Sequence, residues 1–158
     1  MIYGKMFETA KNRVQICIRN GQIIRPMDTV CVICAKTGHL YSGLSHAGMY
    51  RGRLTVTHAE PEAIQNMLAF GEKQVEAVLL MNSYNFRTLL PCKQCIADIL
   101  ALDEENKNCH IVLENTIVPV QGVDKFIQDS INQSQLASAQ VPVVSAGSTG
   151  ILRCHPFR

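Results

Sequence analysis

Two short motifs in this chain combine residue types that can hold a metal ion and move a proton. The first is His-x-Glu at residues 58–60, and the second is Pro-Cys-x-x-Cys at residues 91–95. The imidazole of His58 and the thiolates of Cys92 and Cys95 can bind Zn²⁺ and leave one tetrahedral position open for water. Glu60 lies two positions after the histidine, where a carboxylate can transfer protons beside that water. We therefore predict one catalytic zinc ion per chain.

Each of these residues also has an interpretation without catalysis. Thr57-x-x-Glu60 matches a helix capping box, in which the glutamate carboxylate binds backbone N–H groups. A lone histidine is usually structural, and a single Cys-x-x-Cys motif is often part of a core or a redox pair. The conjunction of the two motifs, each at the predicted start of a helix, favours the metal site.

A second Cys-x-x-Cys motif, from Cys31 to Cys34, raises the alternative of a structural zinc site with four cysteine ligands. These residues lie in an apolar run typical of a strand, where a spacing of three directs two side chains to opposite faces. We therefore predict that both thiols are small core residues. The same role is predicted for the remaining cysteines, Cys17, Cys109 and Cys154.

The composition is that of a folded globular protein. Of the 158 residues, 47% are apolar and 18% are charged, which excludes an intrinsically disordered chain. The net charge of +2 and the aromatic content of 6% provide little attraction or stacking surface for nucleic acid. No secretory signal and no apolar stretch of the ~20 residues needed to cross a bilayer is evident. An odd number of cysteines, seven, favours the reducing cytosol over a disulfide framework.

The hydrophobic pattern predicts alternating strands and helices. Helices are predicted at residues 5–19, 58–70, from 91 onward and at 123–131, and strands at 30–35, 39–44, 75–81, 109–113 and 116–120. Residues 45–56 are predicted to be a connection and residues 82–90 a loop. The alternation indicates an α/β fold of layers with parallel crossovers. A single domain is predicted over residues 1–133, followed by a C-terminal extension at residues 134–158 that acts as a lid or a partner contact.

With these motifs in place, residues 5–131 resemble the cytidine deaminase superfamily of zinc-dependent deaminases. Residues 36–43, Lys-Thr-Gly-His-Leu-Tyr-Ser-Gly, are similar to the family's first hairpin. The resemblance implies a three-layer α-β-α sandwich with a five-stranded mixed sheet. It also implies a hydrolase that replaces an exocyclic amine on a cyclic amidine by a carbonyl oxygen and releases ammonia. The loop at residues 82–90 is most similar to the branch of free cytidine and blasticidin deaminases.

The resemblance also implies substrate contacts. It places the backbone N–H groups of Ala59 and Glu60 at the base, and the carbonyl of Leu90 near the amine. Free cytidine deaminases carry Asn-x-Glu after the hairpin to hold the ribose hydroxyls, whereas this chain has Ser45 and Ala47 at those positions. Because polar groups built for a hydroxyl discriminate strongly, this departure separates the chain from ordinary cytidine deaminases. Ser45 is the polar candidate that remains for a substrate contact.

Three functions are compatible with these residues. The first, which we favour, is deamination of a cytosine-type nucleoside or related aminopyrimidine, with a small-molecule nucleoside or nucleotide as partner and no membrane. The second is deamination of cytosine in polynucleotides, as in toxin-like or editing enzymes, and the third is a relative that keeps zinc for stability alone. Arg51 and Arg53 are either phosphate ligands or solvated loop charges. Family members of this size assemble, so the resemblance implies a homodimer or homotetramer.

Overall fold

The computed structural model describes residues 2–139 of the chain. Four α-helices in this range, α1 to α4, span Ile2–Arg19, Ala59–Ala69, Lys93–Leu102 and Val123–Ala139. Eight strands, β1 to β8, span Thr29–Ala35, Leu40–Leu44, His46–Tyr50, Arg53–Thr57, Val75–Asn82, Thr88–Leu89, His110–Val112 and Ile117–Pro119. Two short 3₁₀ helices, Glu104–Asn108 and Val120–Gly122, precede β7 and follow β8. None of the described helices is long and apolar enough to cross a lipid bilayer.

Five strands form a mixed sheet in the order β2-β1-β5-β7-β8. Strand β1 is antiparallel to both of its neighbours, whereas β5 and β7 are parallel. Strands β2 and β5, on either side of β1, therefore run in the same direction, and the chain between them passes through β3, β4 and α2. The chain between the parallel neighbours β5 and β7 passes through β6 and α3. Strand β8 returns antiparallel to β7, and the short β6 adds a sixth strand beside the end of β5. The predicted α/β fold with a mixed sheet is confirmed.

The sheet lies between helical layers because its central strands are apolar on both faces. Helix α1 repeats buried side chains at near-helical spacing, and these cover one face of β1 and β5. The cluster they form with that face contains Met6, Ala10, Val14, Val30, Val32, Cys34, Ala77, Leu79, Met81 and Val112. Helix α2 packs against β1 and β2, and α3 contacts α2. The α-β-α layering that the resemblance implied is therefore present.

The second Cys-x-x-Cys motif lies in β1, and its two thiols face opposite sides of the sheet, as predicted. Cys34 belongs to the cluster against α1. Cys31 alternates in the strand with Val30, Val32 and Cys34 of that cluster and so faces the other side of the sheet, where burial, followed by the charges of Glu60 and Cys95, raises the pKa of its thiol. Both cysteines are fully buried, and neither belongs to the group of potential metal ligands found in residues 2–139. Cys17 and Cys109 are also buried, and Cys154 lies outside the described residues.

Residues 45–56 are not the plain connection that the sequence predicted. Strands β3 and β4 form a separate two-stranded antiparallel sheet, in which Tyr50 pairs with Arg53. Arg51 and Gly52 between them both have positive φ, 49° and 75°, as a type I′ hairpin turn requires. Every residue of both strands is exposed, so the burial pattern on which strand prediction depends is missing here.

The last helix is longer than the pattern predicted. The described residues fall into two compact units, one ending at Asp124 and one beginning at Lys125. Helix α4 continues through the predicted boundary at residue 133, and residues 140–158 lie outside the described range. Ser134 and Ser138, which lie in the predicted extension, each donate a hydroxyl hydrogen bond at 2.9 Å to the carbonyl four residues earlier, as does Ser130 in the predicted helix. The role of the extension stays a prediction.

Candidate active site

Helices α2 and α3 begin close together beside the end of β5. His58 is the N-cap residue of α2 and Cys92 that of α3, and both have an extended backbone. Strand β6 pairs with Leu80 and Met81 near the end of β5. This pairing brings the Pro-Cys-x-x-Cys motif, which follows β6 in the chain, close to the start of α2. The Cys92 sulfur accepts a hydrogen bond from the backbone N–H of Cys95 at 3.4 Å. The unpaired N–H groups and positive dipole end of a helix favour a thiolate here.

The three predicted metal ligands converge. Nδ1 of His58 lies 3.5 Å from Sγ of Cys92 and 3.5 Å from Sγ of Cys95. All three donor atoms lie within 4.8 Å of one another. Nitrogen and sulfur ligands on one tetrahedral Zn²⁺ are separated by about 3.6 Å, given the usual Zn–N and Zn–S bond lengths. The side chains are therefore arranged as a zinc site with three protein ligands requires.

Glu60 is a buried carboxylate that does not cap its helix. Only 1% of its surface is exposed. Its Oε2 accepts a hydrogen bond from the Cys95 thiol at 3.3 Å and lies 4.0 Å from Nδ1 of His58. The N-cap of α2 is His58, which makes no side-chain cap hydrogen bond, and Thr57 is the last residue of β4. The capping-box interpretation is therefore wrong, because the helix begins one residue later than that motif requires.

The residues around Cys95 disfavour its thiolate form. Burial, followed by the hydrogen bond with Cys92 and the charge of Glu60, raises the pKa of Cys95 well above its ordinary value. Within residues 2–139 the ion-pair partner of Glu60 is His58 alone, so no lysine or arginine offsets these groups. A divalent cation between the sulfurs would supply the missing positive charge and ionise both thiols. The donor set and its charge thus fit zinc.

A cavity of about 320 Å³ opens beside these side chains. His58, Glu60 and Cys92 contribute its chemically reactive lining. The rest of the lining is mostly apolar and comprises Met27, Thr29, Ser45, Val56, Leu80 and Leu90. A small cavity with apolar walls and a few convergent polar groups suits a flat heterocyclic ring. We refer to it as the metal-site cavity.

The predicted substrate contacts fall at different places relative to this cavity. Ser45 and Leu90 line it, and Ala59 is fully buried between the histidine and glutamate of the first motif. Arg51 and Arg53 stand at the turn of the exposed β3–β4 hairpin, and neither lines the metal-site cavity. Of the candidates predicted from the sequence, Ser45, Ala59 and Leu90 therefore lie at the site, whereas the two arginines do not.

Three apolar residues of the lining, Met27, Val56 and Leu80, were not identified from the sequence. Met27 lies in an irregular segment before β1, where no periodic pattern marks its environment. Val56 and Leu80 are ordinary strand residues whose role depends on where β4 and β5 come to lie. These residues could have been assigned to the cavity lining only from knowledge of how distant segments of the chain pack together.

Known structures share the fold of this chain, although no protein-family model and no curated protein sequence matches it. Cytidine deaminase from Mycobacterium tuberculosis has a TM-score of 0.60 at 12% identity, covering 77% of this chain and 92% of that chain. The enzyme from Bacillus anthracis has a TM-score of 0.59 at 13% identity, covering 87% and 97%. That from Burkholderia pseudomallei has a TM-score of 0.56 at 15% identity, covering 76% and 94%. The chain therefore has the cytidine deaminase fold.

Proposed function

We propose that this protein, whose fold is that of cytidine deaminases, is a zinc-dependent hydrolytic deaminase of a cytosine-type nucleoside or related aminopyrimidine. One observation carries the proposal: His58, Cys92 and Cys95 converge beside the buried carboxylate of Glu60 at a small cavity. In the proposed reaction, water replaces the exocyclic amine, the ring gains a carbonyl oxygen, and ammonia leaves. An intact Glu60 favours this enzyme over a relative that keeps zinc only for stability.

Glu60 is the proposed proton carrier. When bound by His58, Cys92 and Cys95, Zn²⁺ supplies a Lewis acid that lowers the pKa of water toward about 7. Glu60 accepts a proton from the attacking water, donates it to the ring nitrogen and later carries a proton to the leaving amine. Its position supports this role, because the carboxylate lines the metal-site cavity and its Oε2 lies 4.0 Å from Nδ1 of the proposed ligand His58. Proton transfer of this kind typically contributes about 10²–10⁴ in rate.

The groups proposed to hold the base are backbone atoms and one hydroxyl. The N–H groups of Ala59 and Glu60 belong to the first turn of α2, where they have no partner within the helix. The carbonyl of Leu90 is proposed to accept from the amine. Oγ of Ser45 accepts a hydrogen bond from the N–H of Thr29 at 2.8 Å, which leaves its own proton available for a substrate oxygen.

We further propose that the protein acts as a homodimer or homotetramer in the reducing cytosol. The β3–β4 hairpin is exposed on all its residues, including Met49, Tyr50 and Leu54. An isolated two-stranded hairpin is marginally stable in water, so contact with a second copy of the chain would stabilise it. Thiolate ligands and buried free thiols suit a reducing compartment.

The test of the function is an assay of ammonia release by the pure, zinc-loaded protein. Cytidine, deoxycytidine, their monophosphates and single-stranded DNA are offered separately. We expect turnover of at least one of the four small molecules. Activity on DNA alone would favour the polynucleotide deaminase, and no activity on any compound with zinc bound would favour the purely structural role.

The substitution Glu60→Gln tests the proposed proton carrier. We expect the variant to bind zinc in wild-type amount, since Glu60 is not among the three ligands, but to lose at least about 10²-fold in kcat. Zinc is measured by elemental analysis and kcat by ammonia release. Glu114→Gln, at an exposed carboxylate, is the matched control and should leave both unchanged. Retained turnover in Glu60→Gln would show that another group carries the proton.

A further inference from the structure

A second and larger cavity adjoins the metal-site cavity. It has a volume of about 560 Å³ and lies where the end of α1, the irregular segment before β1 and the start of β3 meet. Thr29 and Ser45 line both cavities, so the two are contiguous at the hydroxyl proposed to face the substrate. We refer to this second space as the basic cavity. A ligand that occupies both cavities would pass Ser45.

Positively charged and donor side chains line the basic cavity. Arg13, Arg25 and His46 all belong to its lining, against a single acidic residue, Asp28. The Asp28 carboxylate already accepts a hydrogen bond from the backbone N–H of Arg25 at 2.7 Å. Within residues 2–139 the guanidinium of Arg25 makes no hydrogen bond or ion pair, so all five of its N–H donors are available to a ligand. Ala47, which stands where free cytidine deaminases carry a glutamate, also lines this cavity and adds no negative charge to it.

Glu62, outside the lining, orients two of these groups. Its carboxylate lies 2.5 Å from Nε2 of His46 and 3.5 Å from Nη2 of Arg13. It also accepts a hydrogen bond from the N–H of Leu44 at 3.1 Å. Partial burial raises the pKa of Glu62, but the hydrogen bonds from His46 and Leu44 outweigh burial and leave that pKa below its ordinary value. The carboxylate therefore stays charged and holds both side chains at the wall of the cavity, where the guanidinium of Arg13 keeps further N–H donors free.

Ser83 provides an independent sign that this cavity receives a polar ligand. The residue is 3% exposed and lines the basic cavity, yet its hydroxyl has no hydrogen-bond partner among the described residues. Its backbone is fixed by a hydrogen bond from its N–H to the carbonyl of Asp28 at 2.8 Å. Buried hydroxyl groups in folded proteins nearly always have a partner. An oxygen-rich ligand in the cavity would accept the missing hydrogen bond.

We propose that the basic cavity is a subsite for a phosphate group, and that the substrate is therefore a mononucleotide and not a free nucleoside. Two guanidinium groups and a hydroxyl together match the acceptor oxygens of a phosphate. The proposal rests on the proposed function for the identity of the base. It also favours the interpretation of Arg51 and Arg53 as solvated loop charges over that of phosphate ligands, since neither lines this cavity.

The first experiment tests phosphate binding to the basic cavity in the absence of a nucleobase. The thermal unfolding midpoint of the zinc-loaded full chain is followed with inorganic phosphate, against chloride at matched ionic strength. We expect phosphate to raise the midpoint of the wild type and of Arg53→Gln, which removes the same charge at the exposed hairpin turn. Arg25→Gln and, separately, Ser83→Ala should lose most of that shift. An equal shift in all four proteins overturns the proposal.

The second experiment compares kcat/KM for cytidine 5′-monophosphate and cytidine. We expect the monophosphate to be preferred at least tenfold by the wild type and by Arg53→Gln, and the preference to fall about tenfold in Arg25→Gln, since a charge-assisted hydrogen bond is lost. Equal values for nucleotide and nucleoside, or a preference for single-stranded DNA, overturn the mononucleotide assignment. A phosphate shift confined to wild type and Arg53→Gln, with no ammonia from any compound, supports the subsite while refuting the deaminase.

Discussion

At the scale of single residues, three buried polar side chains in the described part of the chain have different surroundings. Asn106 is fully buried, and its amide makes hydrogen bonds to the backbone of Val75, Lys73 and Ile99. Glu60 has a thiol and an imidazole beside it, and the hydroxyl of Ser83 has no partner in the described residues. Satisfied polar groups stabilise a fold, whereas a buried group without a partner at the wall of a cavity is a candidate ligand contact. The first residue is therefore structural, and the other two line cavities.

We expect Asn106→Ala to lower the free energy of unfolding by about 2–5 kcal/mol. The substitution leaves the N–H of Val75 and the carbonyls of Lys73 and Ile99 buried without partners, at about 1–3 kcal/mol each before relaxation. Denaturant unfolding followed by circular dichroism measures the change. Asn108→Ala, at an exposed position of the same 3₁₀ helix, should change stability by less than about 0.5 kcal/mol. Similar losses in the two variants would contradict this account.

At the scale of secondary-structure elements, the position of α2 depends on a close approach to β2. A Cβ atom added at Gly43 would lie 2.4 Å from the backbone nitrogen of Ala63 and 2.5 Å from the carbonyl oxygen of Ala59. These distances are far shorter than van der Waals contact, so only glycine allows the helix to lie this near the strand. Since Ala59 directly follows the proposed ligand His58, the same approach positions the metal site.

Gly43→Ala should therefore move the start of α2 away from the sheet. We expect a loss of about 1–3 kcal/mol in unfolding free energy, as for other overpacked positions, together with weaker zinc binding. Unfolding midpoints and competition with a zinc-binding dye report the two effects. The matched control is Gly48→Ala on the exposed β3, where an added Cβ meets no atom within 4 Å. Wild-type zinc affinity in Gly43→Ala would mean that this approach does not position the site.

A second element-level contact joins the β1–β2 hairpin to the end of α2 through Glu72. Its carboxylate accepts hydrogen bonds from the hydroxyls of Thr37 and Tyr41, and Nδ1 of His39 lies 3.2 Å away. The hydrogen bond from Thr37, followed by that from Tyr41, lowers the pKa of Glu72 below its ordinary value. The hydrogen bond to Glu72, followed by burial, raises the pKa of Tyr41 to about 12. Each group therefore titrates outside its usual range in the folded protein.

The pH dependence of stability follows from these two shifts. Because the folded pKa of Glu72 is depressed, its contribution is complete above the unfolded value of about 4.3 and is lost as the pH falls through the folded value. Because the folded pKa of Tyr41 is raised, its contribution is present below about 10 and is lost as the pH rises through about 12. Ultraviolet titration of the folded protein should show one tyrosine ionising near pH 12. Glu72→Gln should bring that ionisation down toward about 10, and Glu76→Gln should not.

At the scale of the whole molecule, the proposed zinc would link segments that are far apart in the chain. One ligand precedes α2 and two belong to the start of α3, and between them the chain passes through α2, β5 and β6. A metal that binds the folded state but not the unfolded chain stabilises the fold by mass action, by about 4 kcal/mol at a thousand times its dissociation constant. With zinc bound, the site would thus stabilise the fold as well as serve as the proposed centre of catalysis.

Removal of zinc with a chelator should therefore lower the thermal unfolding midpoint of the wild type by several degrees. We expect Cys92→Ala to unfold at a reduced temperature that the chelator no longer changes, because one of the three ligands is gone. Cys34→Ala, on the opposite face of the sheet, is destabilised but should still respond to the chelator. A wild-type midpoint that is insensitive to complete metal removal would show that zinc does not clamp these helices.

The sequence by itself predicted the fold class, which the structure confirms, and the three residues that we propose as zinc ligands. Cys-x-x-Cys at a helix start brings two sulfurs together through local geometry, and the hydrophobic runs at residues 30–35 and 75–81 predict central strands. These features depend on residues close in the chain, so their spacing is readable without coordinates. The type I′ turn at Arg51-Gly52 could in principle have been predicted from a glycine flanked by β-prone residues. It was missed because the strands beside it are exposed and show no alternation of buried and exposed residues.

The tertiary structure alone decided what surrounds those ligands. It showed that β1 runs against both neighbours, that Glu60 faces sulfur instead of capping α2, and that a basic cavity adjoins the metal-site cavity. Arg13 lies in α1, Arg25 in the segment before β1 and Ser83 just after β5, and no local period relates them. Cavities form where the faces of distant segments meet, and which faces meet is set by strand register and helix packing, not by neighbouring residues.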